Sequence, residues 1–274
     1  MKIEQLAINA VSTRHADFIE CLDAYAAAGF KHIEFPLWEV KKFIADGHTV
    51  ADARKELDAR GVDCIGGWEM PVLSFGSAKD TKANRDLLLA NAQLLCELGG
   101  TGMVCGTDGP GEGQTCEDVL AVLVDGFGAA ADLIAPTGVT ILLEFNWSPI
   151  VKSFRTAADI VRRAGRDNLG VVFDPCHYHC TPSKFEQLTP ENVATIRHIH
   201  VDNMADKPGE LSCDGDRVLP GAGGCLDLKA IFARIEEFGY DGYFSIEMFS
   251  EELWAMPAAQ AARKMYDSLL TLMN

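Results

Sequence analysis

Short apolar runs rich in Val, Ile and Phe alternate with longer stretches in which apolar positions recur at helical spacing, and this alternation persists along the whole chain. The short runs predict strands over 3–9, 32–35, 62–68, 101–106, 139–145, 169–174, 197–202 and 243–248. The helical spacing predicts helices near 16–28, 50–60, 81–98, 116–135, 156–164, 189–196, 227–238 and 257–273, giving eight consecutive βα units. Several helices end on a glycine that opens the next strand, as at Gly29, Gly61 and Gly99, and a left-handed cap there permits a short return. The strand-to-helix connections are longer and carry the unusual residues: 36–49, 70–80, 107–115, 146–156, 176–189 and 203–225. Length on one side only predicts an α/β fold of the (β/α)8 barrel type, working at the C-terminal ends of its strands. A doubly wound sheet is the competing architecture. It would want a glycine-rich phosphate loop after the first strand, where Asn9-Ala10-Val11-Ser12 stands instead. No linker or low-complexity stretch interrupts the pattern, and residues 1–274 are read as one barrel domain.

Composition narrows the partners. A formal charge of −16 without a Lys/Arg cluster opposes binding along a phosphate backbone, so nucleic acid is not expected. Nine cysteines are an odd count, and the opening Met-Lys-Ile-Glu-Gln carries no apolar signal segment, which predicts a reduced, cytoplasmic protein. No apolar run is read as reaching the roughly 18 residues of a membrane span, so no membrane is expected either. A homo-oligomer is left open.

Four residues at the ends of apolar strands carry the candidate chemistry: Glu144 after Val-Thr-Ile-Leu-Leu, Asp174 after Gly-Val-Val-Phe, His200 after Arg-His-Ile, and Glu247 after Tyr-Phe-Ser-Ile. Carboxylates are costly to bury unpaired, and a barrel brings strand tips distant in sequence onto one axis. Three carboxylates and an imidazole make a hard, oxygen-rich set suited to one divalent metal ion, Mn, Mg, Zn or Co. His198 alternates onto the same face as His200 but lies deeper, and is read as a core group or one behind the ligand. The run Cys176-His177-Tyr178-His179-Cys180 admits a structural zinc reading, but neighbouring side chains on extended backbone diverge. His177, three residues after Asp174, is instead placed to hydrogen-bond a substrate oxygen. Arg217, in the long loop after the seventh strand, is a candidate for holding a substrate hydroxyl or carbonyl.

Together these segments resemble the xylose isomerase-like TIM barrel superfamily of sugar isomerases and epimerases, most closely its inosose (2-keto-myo-inositol) isomerase branch. The resemblance is carried by Leu143-Glu144-Phe145, the run from Leu169 to His179, Ile199-His200-Val201-Asp202, Asp216-Arg217-Val218-Leu219-Pro220-Gly221 and Ser245-Ile246-Glu247-Met248-Phe249, with Phe30-Lys31-His32-Ile33-Glu34 at strand two. It implies a single divalent metal held by Glu144, Asp174, His200 and Glu247, with His177 and Arg217 polarising the substrate. It also implies an isomerase or epimerase of a small polyhydroxylated keto-sugar or keto-polyol, working through a metal-bound enediolate, with Glu144 and Glu247 as the acid and base.

Glu34, Trp68 and Trp147 are expected near the mouth as substrate-binding residues, the carboxylate accepting from hydroxyls and the indoles stacking on a ring face; Trp38 lies in the loop after strand two. A rival is a dehydratase of a cyclic hydroxy-ketone of the 3-dehydroshikimate type, because a metal enolate can expel a β-hydroxyl as readily as be reprotonated; its acidic substrate would want a further cation, with Lys152 and Arg155 as candidates. The superfamily also contains nucleases of the endonuclease IV type. Those need Asp-x-His where Asp216-Arg217-Val218 stands, and a metal-binding histidine where strand three ends Gly66-Gly67-Trp68.

Overall fold

The computed structural model describes residues 1–110, 112–113, 115–146 and 148–273. The chain runs β1 (Leu6–Asn9), α1 (Phe18–Ala28), β2 (His32–Pro36), α2 (Leu37–Ala45), α3 (Val50–Arg60), β3 (Asp63–Trp68), α4 (Ala78–Leu98), β4 (Gly102–Cys105), α5 (Cys116–Ile134) and β5 (Thr140–Glu144). It continues through α6 (Phe154–Ala164), β6 (Leu169–Phe173), α7 (Pro175–Cys180), α8 (Pro190–Val193), β7 (Ile196–Val201), the pair β8 (Asn203–Met204) and β9 (Arg217–Val218), α9 (Leu228–Glu237), β10 (Phe244–Ile246), α10 (Glu251–Trp254) and α11 (Ala258–Leu270). Eight parallel strands close in the order β1-β10-β7-β6-β5-β4-β3-β2, sealed by Ile8 opposite Ile246. The expected barrel is therefore present.

The two faces of each strand differ in what they bury. Ile8, Ile33, Leu143, Phe173, Ile199 and Phe244 belong to one continuous core between barrel and helices. Inside the barrel, Val104, Leu142 and Val172 form a separate small cluster with Trp68 packed on it. Opposite that apolar plug the interior is polar, because β2, β7 and β10 turn Glu34, His198, His200 and Ser245 inward.

Four local expectations need correction. The first strand begins at Leu6, since Ile3–Gln5 form a 3-10 turn, and the helix expected over 189–196 is only Pro190–Val193 because Ile196 already pairs in β7. Helix α7 occupies a stretch read as extended loop: the Asp174 side chain accepts from His177 N and Pro175 stands in the first turn, a strong local start signal. The stretch Asp118–Thr137 is, contrary to the sequence reading, long and apolar enough to cross a membrane by length and composition. In the fold it lies along α5, where Leu123, Phe127, Ala130, Ala131 and Ile134 are buried in the barrel's outer core.

Strands β3 and β4 approach closely because Gly66 faces Gly102; a Cβ on Gly66 would meet the Gly102 carbonyl oxygen at 2.5 Å. Gly66→Ala should therefore cost about 1–3 kcal/mol of stability, read as a lower urea midpoint with an unchanged slope. A second test concerns Glu39 on α2, beside a cavity of about 340 Å³ between α1 and α2. Its Oε2 is buried without a hydrogen-bond partner among the described residues, and burial pushes the carboxyl up from 4.5 to about 7. The folded state thus keeps a proton that the unfolded chain releases, so this contribution to stability is full below pH 4.5 and lost as pH rises through about 7. Glu39→Gln should remove that loss, gaining on the wild type as unfolding is measured from about pH 5 to 8.

Candidate metal centre

The tips of β5, β6, β7 and β10 bring one oxygen each from Glu144, Asp174 and Glu247 and one nitrogen from His200 to within 4.8 Å of one another. His200 Nδ1 is 3.4 Å from Glu247 Oε2, 3.6 Å from Glu144 Oε1 and 3.7 Å from Asp174 Oδ2. Two donors about 2.1 Å from a common ion at a tetrahedral angle lie about 3.4 Å apart, so this spacing is that of ligands around one cation. The same nitrogen is buried without a hydrogen-bond partner among the described residues, which a coordinated ion would satisfy. The residues present therefore fit a divalent metal ion, and the four expected ligands are the four that converge.

The surroundings set each group's charge. Burial alone would raise the Glu144 carboxyl, but the imidazoles of His177 and His200 bring it down to about 2. Burial pushes Glu247 up to about 8 despite His200 and Arg217, because Glu144 and Asp174 add like charge. Asp174 is also disfavoured by burial, yet Arg217 and His177 hold it well below the usual carboxylate range. A bound divalent cation would favour the ionised form of all three.

His177, on α7, sends Nε2 to Glu144 Oε1 at 3.1 Å, while its Nδ1 lies 2.6 Å from the Asn146 side-chain amide. An amide N–H donated to Nδ1 leaves Nε2 as the N–H that points into the site. Asn146 is buried at φ 144°, backbone rarely adopted by residues other than glycine, and its peptide is tied to Val151 O and the Lys152 ammonium. Arg217 comes from β9, which the antiparallel hairpin with β8 folds back over the barrel. Its Nη1 donates to Asp202, to Asp174 Oδ2 at 3.0 Å and to Glu247 Oε2 at 3.3 Å. Asp202 also accepts from Cys176 N at 3.1 Å, locking α7 and the arginine together.

Glu144, His177, His200, Arg217 and Glu247 line a cavity of about 120 Å³ with Trp68, Val104, Asp214 and Phe249. Of the expected substrate contacts, His177, Arg217 and Trp68 face it. Trp38 stands behind Trp68, edge to face at 4.6 Å, and Trp147 lies outside the described residues. Glu34 does not line this cavity: it is 1% exposed beneath His200, with its carboxylate taken by His198, His200 and Ser245, so its expected place at the mouth is corrected. The zinc reading of 176–180 has no common centre, since Cys176 Sγ turns to Asn203 O, His179 to Lys207 O, and His177 into the site.

Three contributors were not singled out from sequence: Asn146, Asp202 and Asn9. Asn9, at the tip of β1, donates from Nδ2 to Glu247 Oε1 at 2.9 Å, and its Oδ1 is held by Val11 N and the Trp68 indole. Each is a polar residue at a strand end or within two places of one, a signal too common to be read alone.

Known proteins resemble the chain in sequence and in fold. The chain is 26% identical over 265 residues to an inosose isomerase of Bacillus velezensis, covering 94% of this chain and 93% of that one. It is 30% identical over 269 residues to a 3-dehydroshikimate dehydratase of Pseudomonas aeruginosa, covering 92% of this chain but 39% of that longer one. The crystal structure of IolI protein with a binding zinc atom superposes with a TM-score of 0.89 at 23% identity, over 98% of this chain and 97% of that one. With the xylose isomerase-like TIM barrel model matching residues 22–271, the chain belongs to that family.

Proposed function

We propose that the protein is a divalent-metal-dependent isomerase or epimerase of an uncharged keto-sugar or keto-polyol of the inosose type. The observation that carries this reading is the pairing of two glutamates, Glu144 and Glu247, with Asp174 and His200 around one point in a small cavity at the barrel mouth. An ion held by those four supplies Lewis acidity to a substrate carbonyl and its neighbouring hydroxyl. Glu144 and Glu247, from opposite parts of the ring of strands, serve as acid and base, one removing the proton beside the carbonyl and the other delivering one at the adjacent carbon or oxygen. His177 donates from Nε2 to the oxygen that gains charge, and Arg217 supports it. Trp68, Val104 and Phe249 give the apolar wall against which a polyol ring's C–H face packs.

Isomerase-named relatives support this reading, and dehydratase-named relatives supply the rival. Charge favours the first. A dehydroshikimate-like carboxylate needs a cation in the mouth, yet among the described lining residues Arg217 is the only Lys or Arg, and it is already bracketed by Asp174, Asp202, Asp214 and Glu247. Lys152 donates to Asn146 O at 2.7 Å and Arg155 is exposed on α6; neither lines the cavity. The acidic surroundings would repel a phosphorylated or carboxylate substrate and admit a neutral one.

Glu144→Gln and Glu247→Gln should each lower turnover by roughly 10²–10⁴-fold without moving the unfolding midpoint, and wild-type rates in both would remove the assignment. Chelation should abolish activity, with recovery on adding Mn²⁺, Mg²⁺, Co²⁺ or Zn²⁺. In D₂O, inososes and ketohexoses should take up deuterium beside the carbonyl without loss of water. An absorbing unsaturated product from 3-dehydroshikimate, formed faster than that exchange, would establish the dehydratase instead.

A further inference from the structure

Glu34 is a carboxylate buried inside the barrel, one layer below the candidate metal ligands and, among the described residues, paired with no lysine or arginine. Its Oε2 receives His198 Nε2 at 3.1 Å, His200 Nε2 at 3.1 Å and the Ser245 hydroxyl at 3.2 Å; His200 Nε2 is also 3.4 Å from Oε1. A carboxylate so far from water persists only where donors replace its hydration, and three side chains from β7 and β10 do this. The consequence falls on His200. With Nε2 as the N–H donor to Glu34, Nδ1 carries the lone pair, and that nitrogen faces the oxygens of Glu144, Asp174 and Glu247. His198 stands edge-on to His200, with ring centres 5.3 Å apart, and its Nε2 meets the same carboxylate oxygen, tethering it from a second direction. Below it lies a cavity of about 210 Å³, opening among Thr101, Thr140, Arg197 and Tyr243 toward the N-terminal end of the strands. Glu34 is thus reached from the floor of the barrel rather than from the mouth.

We propose that Glu34 is a positioning residue of the metal centre: tethered by His198 and Ser245, it fixes the tautomer and ring plane of His200 and so sets the affinity for the divalent ion, without touching substrate. This rests on the proposed metal dependence only in requiring that an ion binds. A carboxylate behind a ligating histidine orients the ring and raises its basicity, and loss of such a partner costs roughly 10–100-fold in metal affinity. Glutamine is nearly isosteric but offers an amide whose N–H₂ can donate to Nε2, which would move the histidine proton to the wrong nitrogen.

The test measures ion binding without substrate. Apo wild type and Glu34→Gln are titrated with Co²⁺ and with Mn²⁺ against a chromophoric chelator, and the visible spectrum of the Co²⁺ form is recorded. Wild type should bind one ion, and the variant should bind roughly 10–100-fold more weakly with a shifted Co²⁺ spectrum, while KM at saturating metal stays at the wild-type value. An unchanged metal affinity overturns the proposal, as does a raised KM that persists at saturating metal, which would return Glu34 to the substrate. Failure of the wild type itself to bind a divalent ion would instead sink the proposed function, so the two are separable. Should Glu34→Gln not fold, His198→Asn keeps the carboxylate and strips one tether; it should weaken ion binding in the same direction, and wild-type affinity in a folded His198→Asn protein refutes the tethering.

Discussion

More negative charge is buried in this barrel than its own side chains neutralise, and the rest of the site follows from that imbalance. Glu34, Asp174, Asp202 and Glu247 are each at most 4% exposed, and Glu144 joins them from the mouth. Arg217 is the one buried lysine or arginine among the described residues. Buried carboxylates survive by pairing, by hydrogen bonding or by sharing a cation. Here the groups are layered: Glu34 is satisfied by His198, His200 and Ser245, Asp202 by Arg217 and a backbone N–H, and the upper three converge with His200 Nδ1 on one point where a cation would fit.

The barrel's architecture makes this arrangement affordable. One side of the interior is an apolar plug of Val104, Leu142 and Val172 under Trp68, and β3 and β4 close tightly there because Gly66 and Gly102 carry no side chain. Beneath the candidate ligands the polar side lies on β2, β7 and β10, where β10 lies between β1 and β7 and sets Ser245 opposite His200. Trp68 belongs to both halves: its ring packs on the plug while its indole N–H holds Asn9, which in turn holds Glu247. A packing residue therefore transmits the position of the plug to a candidate catalytic carboxylate.

Charge also shapes what the cavity can accept. With Arg217 committed to four carboxylates, the described lining offers an anionic substrate no free counter-charge, whereas hydroxyls find acceptors in Glu144 and Asp214 and a donor in His177. Relatives named isomerase and relatives named dehydratase are both similar to this chain, so the surroundings of the four convergent groups are where a distinction between the two activities is to be sought.

The chain by itself determined the eight βα units, the barrel, and the convergence of the four candidate ligands, because each stands at the end of an apolar strand and strand tips in a closed parallel barrel must converge. It also placed His177 and Arg217 near the site, since one follows Asp174 by three residues and the other lies in a mouth loop. What only the tertiary structure decided was which neighbours those groups acquire across the closure. Asn9 reaches Glu247 through the β1–β10 seam, Asp202 meets Arg217 through the β8–β9 hairpin, and Asn146 meets His177 through a strained backbone. Glu34 shows the limit most plainly: its strand was read correctly, but its depth was not. A period of two assigns a side chain to a face, whereas its layer along the barrel axis depends on the tilt and stagger of strands far away in the chain.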